Sequence, residues 1–395
     1  MRLALMTAIV AFATPARAQN IEYVGTAVAH TSPASLYRVG DARYLTLTEL
    51  LYDGATARVD VLDLTSQAVA HVEVARATLA NKFGRFDAAL NRTQPPDGVL
   101  AVYEPTRAGL YLSDDLIQPT RRHWYVEVDG HGTITRTATL GATSSDTEVH
   151  LIGTDLAHDA VWFTFERFGG PWDKSFKRAA GPSEIAFRRL DLKTLKLADV
   201  VSVALPARKM KSGYEDQVMV HAADDFSRFA VVEYDEPEFH TSPAASVFFV
   251  DPDRATSFSV PAVDTTYGVA FAHDGKNAYL VGAGSGTVAR VDLAKQAIDK
   301  RVKGPKLIHH AVVSADDSRL YVLGSSKSYV VFDLPTLRAR EYTHAKQVAP
   351  AAAELFGGGV ISLDDRYFVL QQALPPGPSI AYSPTQEFVI ARLGN

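Results

Sequence analysis

Short apolar runs of about five residues recur along the chain, and each is bounded by a small polar or acidic corner. Two stretches show the pattern best, "AHDGKNAYLVGAGSGTVARVDL" at 272–293 and "SADDSRLYVLGSSKSYVVFDL" at 314–334. The runs are rich in β-branched and aromatic residues, and Asp-Gly or Asp-Asp corners tolerate turn geometry. The pattern therefore predicts short antiparallel strands joined by tight turns, with neither helical heptads nor βαβ spacing.

These two stretches align as copies of one module at a spacing of about 42 residues, the size of a four-stranded propeller blade. Polar corners before an apolar run occur seven times, at Gly40-Asp41, Asp97-Gly98, His158-Asp159, Asp224-Asp225, Asp274-Gly275, Asp316-Asp317 and Asp364-Asp365. A second marker, a run that ends in an acidic turn such as "DVLDL" or "VVFDL", also occurs seven times if the degenerate "FVIARL" is included. Two independent markers thus predict seven modules.

A twisted four-stranded sheet with two apolar faces needs a neighbour on each side, and a closed ring supplies both. We therefore predict an all-β fold, a seven-bladed β-propeller of four-stranded antiparallel blades, as a single domain over residues 19–395. The chain ends on the third strand of its last module, so residues 21–30 are predicted to complete that blade and close the ring. Residues 70–80 fit either a short helix or a fourth strand with its connection.

The first 18 residues have the features of a secretory signal peptide. A positive charge at Arg2 precedes an apolar run at 3–13 that is too short to span a bilayer. Ala16 and Ala18 then form the small-x-small pattern of a signal peptidase site. The sequence predicts cleavage near Ala18/Gln19 and a soluble periplasmic or secreted protein.

The bulk composition excludes several classes of partner and site. A net charge of −5 gives no electrostatic reason to expect nucleic acid or an anionic membrane as a partner. The chain has no cysteine, which excludes disulfides, thiolate metal sites and cysteine nucleophiles. No later stretch is long and apolar enough to suggest a membrane span.

Four modules carry long segments between their predicted second and third strands, at 104–123, 166–184, 233–246 and 371–386. In a propeller these loops share a face with the connections between blades, where ligands and partners usually bind. The candidate binding residues on them are Trp172, Tyr234 and His240. The 166–184 segment is basic and the 233–246 segment acidic, so the two could equally pair with each other and cover the channel mouth.

The entrance of the central channel is the second candidate surface, because the first strand of each blade lines it. The aligned strand starts carry polar or aromatic residues, with Phe86 a less certain member; the candidates are His150, Gln217, Tyr267 and His309. Such residues bind ligands in some propellers and only hold water in others. Both interpretations stay open.

The other motifs favour structural explanations. His309 and His310 form an apparent metal pair, but adjacent residues of a strand point to opposite faces unless a bulge intervenes. The "GAGSG" segment at 282–286 precedes no helix and predicts a hairpin turn rather than a phosphate site. Nucleophile-elbow and zinc-protease motifs are missing from the sequence. We expect neither a metal nor a cofactor and assign no catalytic residue.

The "DGKNAYLVG…VARVDL" and "DDSRLYVLG…VVFDLPTL" modules resemble seven-bladed propellers of the YVTN and quinoprotein amine dehydrogenase type. A more particular likeness covers residues 83–121, which are similar to part of the propeller subunit of quinohemoprotein amine dehydrogenase. The matching positions are Glu104, Gln118, Pro119, Thr120 and Arg121. In that family the propeller walls the substrate cavity and the quinone belongs to a small partner subunit. The resemblance thus adds Glu104 and Arg121 to the candidate site residues.

Three functions follow from these observations. The first is an exported, non-catalytic propeller that binds a protein partner or a small ligand through the insertion face and the channel mouth. The second is a propeller subunit of an amine-dehydrogenase-like periplasmic oxidoreductase. The third is a stand-alone lactonase or lyase that acts in the channel, for which loss of turnover in His309 or Tyr267 variants would be diagnostic.

Overall fold

A computed structural model of the chain describes residues 21–29, 36–38, 44–53, 56–87, 92–94, 97–104, 107–113, 120–155, 157–168, 182–206, 216–235, 246–263, 266–282, 286–304, 308–324, 328–334, 336–343, 355–361, 367–372 and 386–393. The predicted signal peptide at 1–18 lies outside these residues. So do most of the long segments predicted at 166–184, 233–246 and 371–386.

The described residues form strands almost throughout, with one short helix. The first half contains β1 (Ile21–Ala29), β2 (Leu36–Arg38), β3 (Tyr44–Asp53), β4 (Thr56–Asp63), β5 (Val69–Ala75), α1 (Arg76–Phe83), β6 (Arg85–Asp87), β7 (Arg92–Gln94), β8 (Asp97–Glu104), β9 (Arg107–Ser113), β10 (Thr120–Asp129), β11 (Ile134–Ser144), β12 (Thr147–Asp155), β13 (Ala160–Phe168), β14 (Pro182–Asp191) and β15 (Lys196–Ala204). The second half contains β16 (Asp216–Ala222), β17 (Phe229–Asp235), β18 (Ser246–Asp251), β19 (Thr256–Pro261), β20 (Thr266–Phe271), β21 (Asn277–Gly282), β22 (Thr287–Asp292), β23 (Ala297–Lys303), β24 (Ile308–Val313), β25 (Arg319–Gly324), β26 (Ser328–Asp333), β27 (Arg338–Thr343), β28 (Leu355–Ile361), β29 (Tyr367–Gln372) and β30 (Gln386–Leu393).

The strands assemble into antiparallel sheets made mainly of consecutive segments. Four sheets contain four consecutive strands each, and we name them by their residues: the 147–204, 216–261, 266–303 and 308–343 sheets. An eight-stranded sheet consists of β2–β5 and β8–β11, and a single residue pair, Glu49 opposite Val99, joins the two halves. The all-β class and the four-stranded antiparallel units predicted from the sequence are therefore present.

The remaining four-stranded sheet, which we call the terminal sheet, combines both ends of the described chain in the order β1-β30-β29-β28. β1 runs antiparallel to β30, with Ile21 opposite Leu393 and Ala29 opposite Gln386. This is the strand pairing expected from the incomplete last module. It covers the edge of β30, which would otherwise present free backbone groups.

Adjacent sheets pack face to face through apolar clusters. One cluster joins the eight-stranded sheet to the 147–204 sheet, and three more join each of the next sheets to its successor. A second strand such as β13 is buried on both faces, whereas a fourth strand such as β23 alternates between exposed and half-buried residues. Burial is therefore greatest in the middle strands and lower in the first and fourth strands, as β12 and β15 show. This explains why only the middle strands are continuously apolar in sequence.

The first strands of successive sheets contact one another. β12 contacts β8 and β16, β20 contacts β16 and β24, and β28 contacts β24 and β2. These strands carry the residues that the sequence assigns to a channel entrance.

The repeated aspartates act as turn residues. Asp191 Oδ1 accepts the backbone N–H of Thr194 at 2.7 Å, and Asp292 Oδ1 accepts that of Lys295 at 2.9 Å. In each turn one residue adopts a positive φ, 54° at Leu195 and 56° at Gln296. Backbone hydrogen bonds to a short carboxylate stabilise such turns, so the acidic marker in the sequence reflects local structure rather than chemistry.

The structure corrects the predicted loop at 104–123. Residues 107–113 form β9, which pairs with both β8 and β10, so β8 is the first strand of its group and not the second. Leu110, Tyr111 and Leu112 are all buried, and this apolar run is a middle strand between two neighbours. The predicted insertion is therefore wrong, because its middle is a strand of the sheet.

The sequence left a helix and a strand open for residues 70–80, and the structure contains both. β5 is followed directly by α1. Leu79 and Phe83 anchor the helix, since both are buried and the Phe83 ring lies 5.5 Å from the Trp124 ring. Phe86 lies in the β6–β7 hairpin, so its assignment to a channel-lining strand is wrong. Among the described residues no helix is long and apolar enough to cross a membrane.

The regular alternation of side chains between the two faces of a strand does not hold at His309 and His310. Ile308 pairs with Gly324 and His310 with Leu323, so the register of β24 shifts at His309. β20 has the same irregularity at Tyr267, between Thr266 and Gly268. Both channel candidates thus sit at positions where the strand register shifts, as at a β-bulge.

Candidate functional site

The most concentrated group of polar side chains lies at the start of β12 and the end of β13. His150 Nε2 lies 3.4 Å from Glu148 Oε2 and 3.8 Å from Glu166 Oε2. The exposed fraction is 54% for the His150 side chain, 16% for Glu148 and 4% for Glu166. The imidazole therefore faces solvent, and the two carboxylates lie behind it.

The strand register explains this grouping. Glu148 lies directly opposite Glu166, and His150 lies opposite Thr164. Like charges that face each other across a strand pair are unfavourable unless a cation compensates them. His150 is diagonal to Glu166 and two residues from Glu148 on the same face, so it is placed to supply that charge. Thr164, which is fully buried, donates its hydroxyl to Glu166 Oε1 at 3.4 Å.

The protonation of His150 follows from these neighbours. Burial is the largest influence on the pKa of His150 and lowers it, but the attraction of Glu166 and the hydrogen bond with Glu148 outweigh burial and raise the pKa to about 9. The nearby Arg121 opposes this rise. His150 is thus a half-exposed cation at neutral pH.

The unpaired edge of β12 is held by side chains from the eight-stranded sheet. Arg121 Nη2 donates to the Thr147 carbonyl at 3.1 Å, and Tyr111 Oη donates to the Val149 carbonyl at 3.1 Å. The backbone groups of residues 147 and 149 point to the same edge of the strand, and those of Glu148 and His150 point toward β13. The two contacts fix the backbone on both sides of Glu148.

Behind this edge lies a chain of buried hydrogen bonds. Tyr111 Oη and His123 Nδ1 are 2.9 Å apart, and His123 Nε2 lies 2.8 Å from Thr143 Oγ1. Both Tyr111 and His123 are buried. Burial raises the pKa of the Tyr111 phenol well above its usual value, so the phenol stays neutral. The network holds the edge of β12 next to His150 and adds no charge from Tyr111.

Arg121 is the exceptional member of the group. It is 2% exposed, and no carboxylate forms an ion pair with it in the part of the chain that the structure describes. Its Nε also lacks a hydrogen-bond partner among these residues. A buried guanidinium is costly to desolvate, and the positive charge of Arg121 acts on His150, whose pKa it lowers.

The structure places the predicted site residues on several sheets. Arg121 (β10) and His150 (β12) fall in one neighbourhood, and Gln217 (β16) lies opposite Tyr234 (β17) on the sheet that β12 contacts. Tyr267 and His309 lie on the first strands of the next two sheets, and Glu104 ends β8 opposite Arg107. Trp172 and His240 lie outside the described residues.

Sequence reasoning missed Glu148, Thr164 and Tyr111. A signal for the first two exists, since "TEVH" and "TFE" place polar residues two apart at the ends of strands that are otherwise apolar. Tyr111 carries no such signal, because it lies in the apolar run that was assigned to a loop. No group of three or more possible metal ligands occurs within the residues that the structure describes.

The chain was also compared with known proteins. No protein-family model matches it, and no curated protein is significantly similar to it. The site must therefore be interpreted from its own geometry.

The protonation of His150 can be tested by substituting Glu166→Gln. We expect the pKa of His150 to fall from about 9, because the variant removes the attraction that contributes most to raising it while keeping the side-chain size. The pKa is measured from the pH dependence of the His150 ring signals in NMR spectra of histidine-labelled protein.

Glu184→Gln is the matched control, because Glu184 pairs with Arg167 at 2.7 Å on the same sheet and does not contact His150. It should leave the His150 titration unchanged. An equal shift in both variants would mean that the net charge of the sheet, and not Glu166, sets the His150 pKa.

Proposed function

We propose that the chain is a closed seven-bladed β-propeller that binds a small organic carboxylate at His150 and is not catalytic on its own. Seven blades follow if the eight-stranded sheet counts as two groups of four, since these groups share one residue pair. The contacts between first strands lead from β2 and β3 through each sheet in turn and back to β2, which supports ring closure. Kinship with YVTN and quinoprotein propellers rests on the repeated modules at 272–293 and 314–334.

The chain is an exported protein in this proposal. Support comes from the sequence of residues 1–18, with Arg2, the short apolar run and the Ala16-Arg17-Ala18 cleavage pattern. The total lack of cysteine agrees with an oxidising compartment.

The single observation behind the ligand proposal is the half-exposed imidazolium of His150 with two carboxylates behind it. Its Nε2 is occupied by two glutamates, while Nδ1 has no hydrogen-bond partner among the described residues. A protonated imidazole carries a donor on each nitrogen. His150 therefore offers a charged N–H to a ligand that approaches it from solvent.

Charge selects the class of ligand. The carboxylates of Glu148 and Glu166 are mostly buried behind the imidazole, and Arg121 adds a second positive charge nearby. An approaching molecule thus meets the imidazolium first, and an anionic oxygen is the acceptor that forms the strongest hydrogen bond with it. A small carboxylate satisfies both the donor and the charge.

The test uses the purified mature chain with labelled histidine and titrates acetate, lactate and succinate at constant ionic strength. We expect at least one of these probes to shift the His150 ring signals in a saturable manner, because it accepts the Nδ1 hydrogen bond. The signals of His131, in an exposed turn, serve as an internal reference. His150→Gln should weaken the affinity for that probe about tenfold, as expected for loss of a charged hydrogen bond.

Methylammonium chloride is the probe of opposite charge. Saturable binding of methylammonium in place of the carboxylates would overturn the ligand class, and unchanged His150 signals with every probe would overturn the site. Turnover of a lactone or an amine by the isolated chain would overturn the non-catalytic assignment and favour one of the enzymatic alternatives.

A further inference from the structure

A single histidine bridges three successive sheets at the turns between their first and second strands. His273, which follows β20, has Nε2 3.0 Å from Asp224 Oδ2 and Nδ1 3.0 Å from Asp317 Oδ1. Asp224 follows β16 in the 216–261 sheet, and Asp317 follows β24 in the 308–343 sheet. The side chains are only about one third exposed or less, with 32% for His273 and 24% for Asp317.

The geometry requires a protonated ring. A neutral imidazole carries one N–H and one lone pair, and an ionised carboxylate carries only acceptors. Two carboxylates at 3.0 Å from the two ring nitrogens can both be satisfied only if both nitrogens carry a proton. Loss of one proton would set a lone pair of the ring against a carboxylate oxygen.

The two arms of the bridge are unequal. Asp317 also accepts the backbone N–H groups of His273 and Asp274, each at 2.8 Å. These bonds persist whatever the charge of the ring, so they keep Asp317 next to Nδ1. The contact that depends on the ring proton is therefore the one between Nε2 and Asp224.

We propose that His273 is a proton-dependent clamp, which holds the 216–261, 266–303 and 308–343 sheets together while protonated and releases the Asp224 arm on deprotonation. The hydrogen bond with Asp224 is the largest influence and raises the pKa of His273, burial opposes the rise, and the hydrogen bond with Asp317 adds to it, so that the pKa lies at about 9. The ring contacts Asp224 and Asp317, and the three turns that carry the bridge also contain Asp225, Asp274, Lys276 and Asp316.

The direction of the pH effect follows from this shift. The folded-state pKa of about 9 lies above the ordinary value of 6.5. The clamp therefore contributes its full stability below pH 6.5 and loses it as the pH rises through 9. The junction between the 216–261 and 266–303 sheets is the part that loosens at alkaline pH.

The experiment measures the unfolding equilibrium in urea at pH 6 and pH 9.5 for the natural chain, His273→Gln and His158→Gln. The unfolding constant of the natural chain should rise about tenfold more between these pH values than that of H273Q, a figure reduced from the full linkage effect because the ring is partly exposed. His158 is the matched control, since its ring contacts Asp155 within its own turn and bridges no second sheet. H158Q should keep the pH response of the natural chain.

NMR provides a second measurement that does not depend on a variant folding. The ring nitrogens of His273 should titrate near pH 9 and leave the proton on Nδ1 above that pH, the tautomer that retains the Asp317 contact. Asp224→Asn should lower this pKa and leave the Nδ1 tautomer in place. A His273 pKa near the ordinary value, or an equal pH response in H273Q and the natural chain, would overturn the clamp.

Discussion

Removal of Ile21–Ala29 from the mature chain should lower the free energy of unfolding by about 3–5 kcal/mol, which is among the larger effects expected of any local change. β1 pairs with β30 over most of the length of both strands and also contacts β5. Its loss leaves the backbone groups of β30 unpaired at a sheet edge. Urea unfolding followed by tryptophan fluorescence measures the change.

A peptide with the sequence "IEYVGTAVA" provides the control for this deletion. Added in trans, it should restore part of the lost stability, whereas a scrambled peptide of the same composition should not. If the truncated chain unfolds at the same urea concentration as the natural chain, the pairing of β1 with β30 contributes nothing and ring closure through the termini is wrong.

Phe229→Ala should destabilise the fold by about 3–5 kcal/mol, the usual cost of removing a large buried aromatic ring. Phe229 is fully buried at the junction of the 147–204 and 216–261 sheets. Its ring centroid lies 4.8 Å from that of Phe187 and 5.0 Å from that of Trp162. The substitution leaves a cavity between two sheets that no neighbouring backbone can easily fill.

Phe258→Ala is the matched variant, because Phe258 stacks on Phe249 at 5.2 Å but lies on a fourth strand and is only partly buried. We expect it to cost about 1–2 kcal/mol, in proportion to its smaller buried area. Equal losses in the two variants, measured by urea unfolding, would contradict the decline of burial from the middle strands to the fourth strands.

The sheet organisation could be predicted from the sequence because the turn residues that mark it are fixed by local hydrogen bonds. The aspartates that end the third strands hold turns through their own backbone hydrogen bonds, as at Asp191 and Asp292, so they recur wherever the turn recurs. The pairing of β1 with β30 followed from counting strands in the last module. Both inferences use repeated patterns that a single sequence contains.

The error at residues 97–123 has a physical reason as well. "VLAVY" in β8 and "AGLYL" in β9 are both short apolar runs, and periodicity alone cannot tell a first strand from a second. The choice depends on which neighbours cover each strand. That information lies in the packing against β3 and β10.

The candidate site was only partly predictable for a similar reason. His150 was identified because it aligns with polar residues at other strand starts. The contact of its ring with Glu166 depends on the register between β12 and β13, which places Glu148 opposite Glu166. Arg121 was identified through a resemblance over residues 83–121. Its hydrogen bond to the Thr147 carbonyl joins two different sheets, which sequence patterns do not reveal.

The terminal sheet also sets an order of events during biosynthesis. β1 is made first, but its partner β30 comprises residues 386–393 and is made last. The strand must therefore remain unpaired while nearly the whole polypeptide is translated, and unpaired strands of nascent chains are sites of aggregation. Among the strand pairs that the structure describes, β1 and β30 have the greatest sequence separation, so docking of β1 is expected to be the slow, final step of folding.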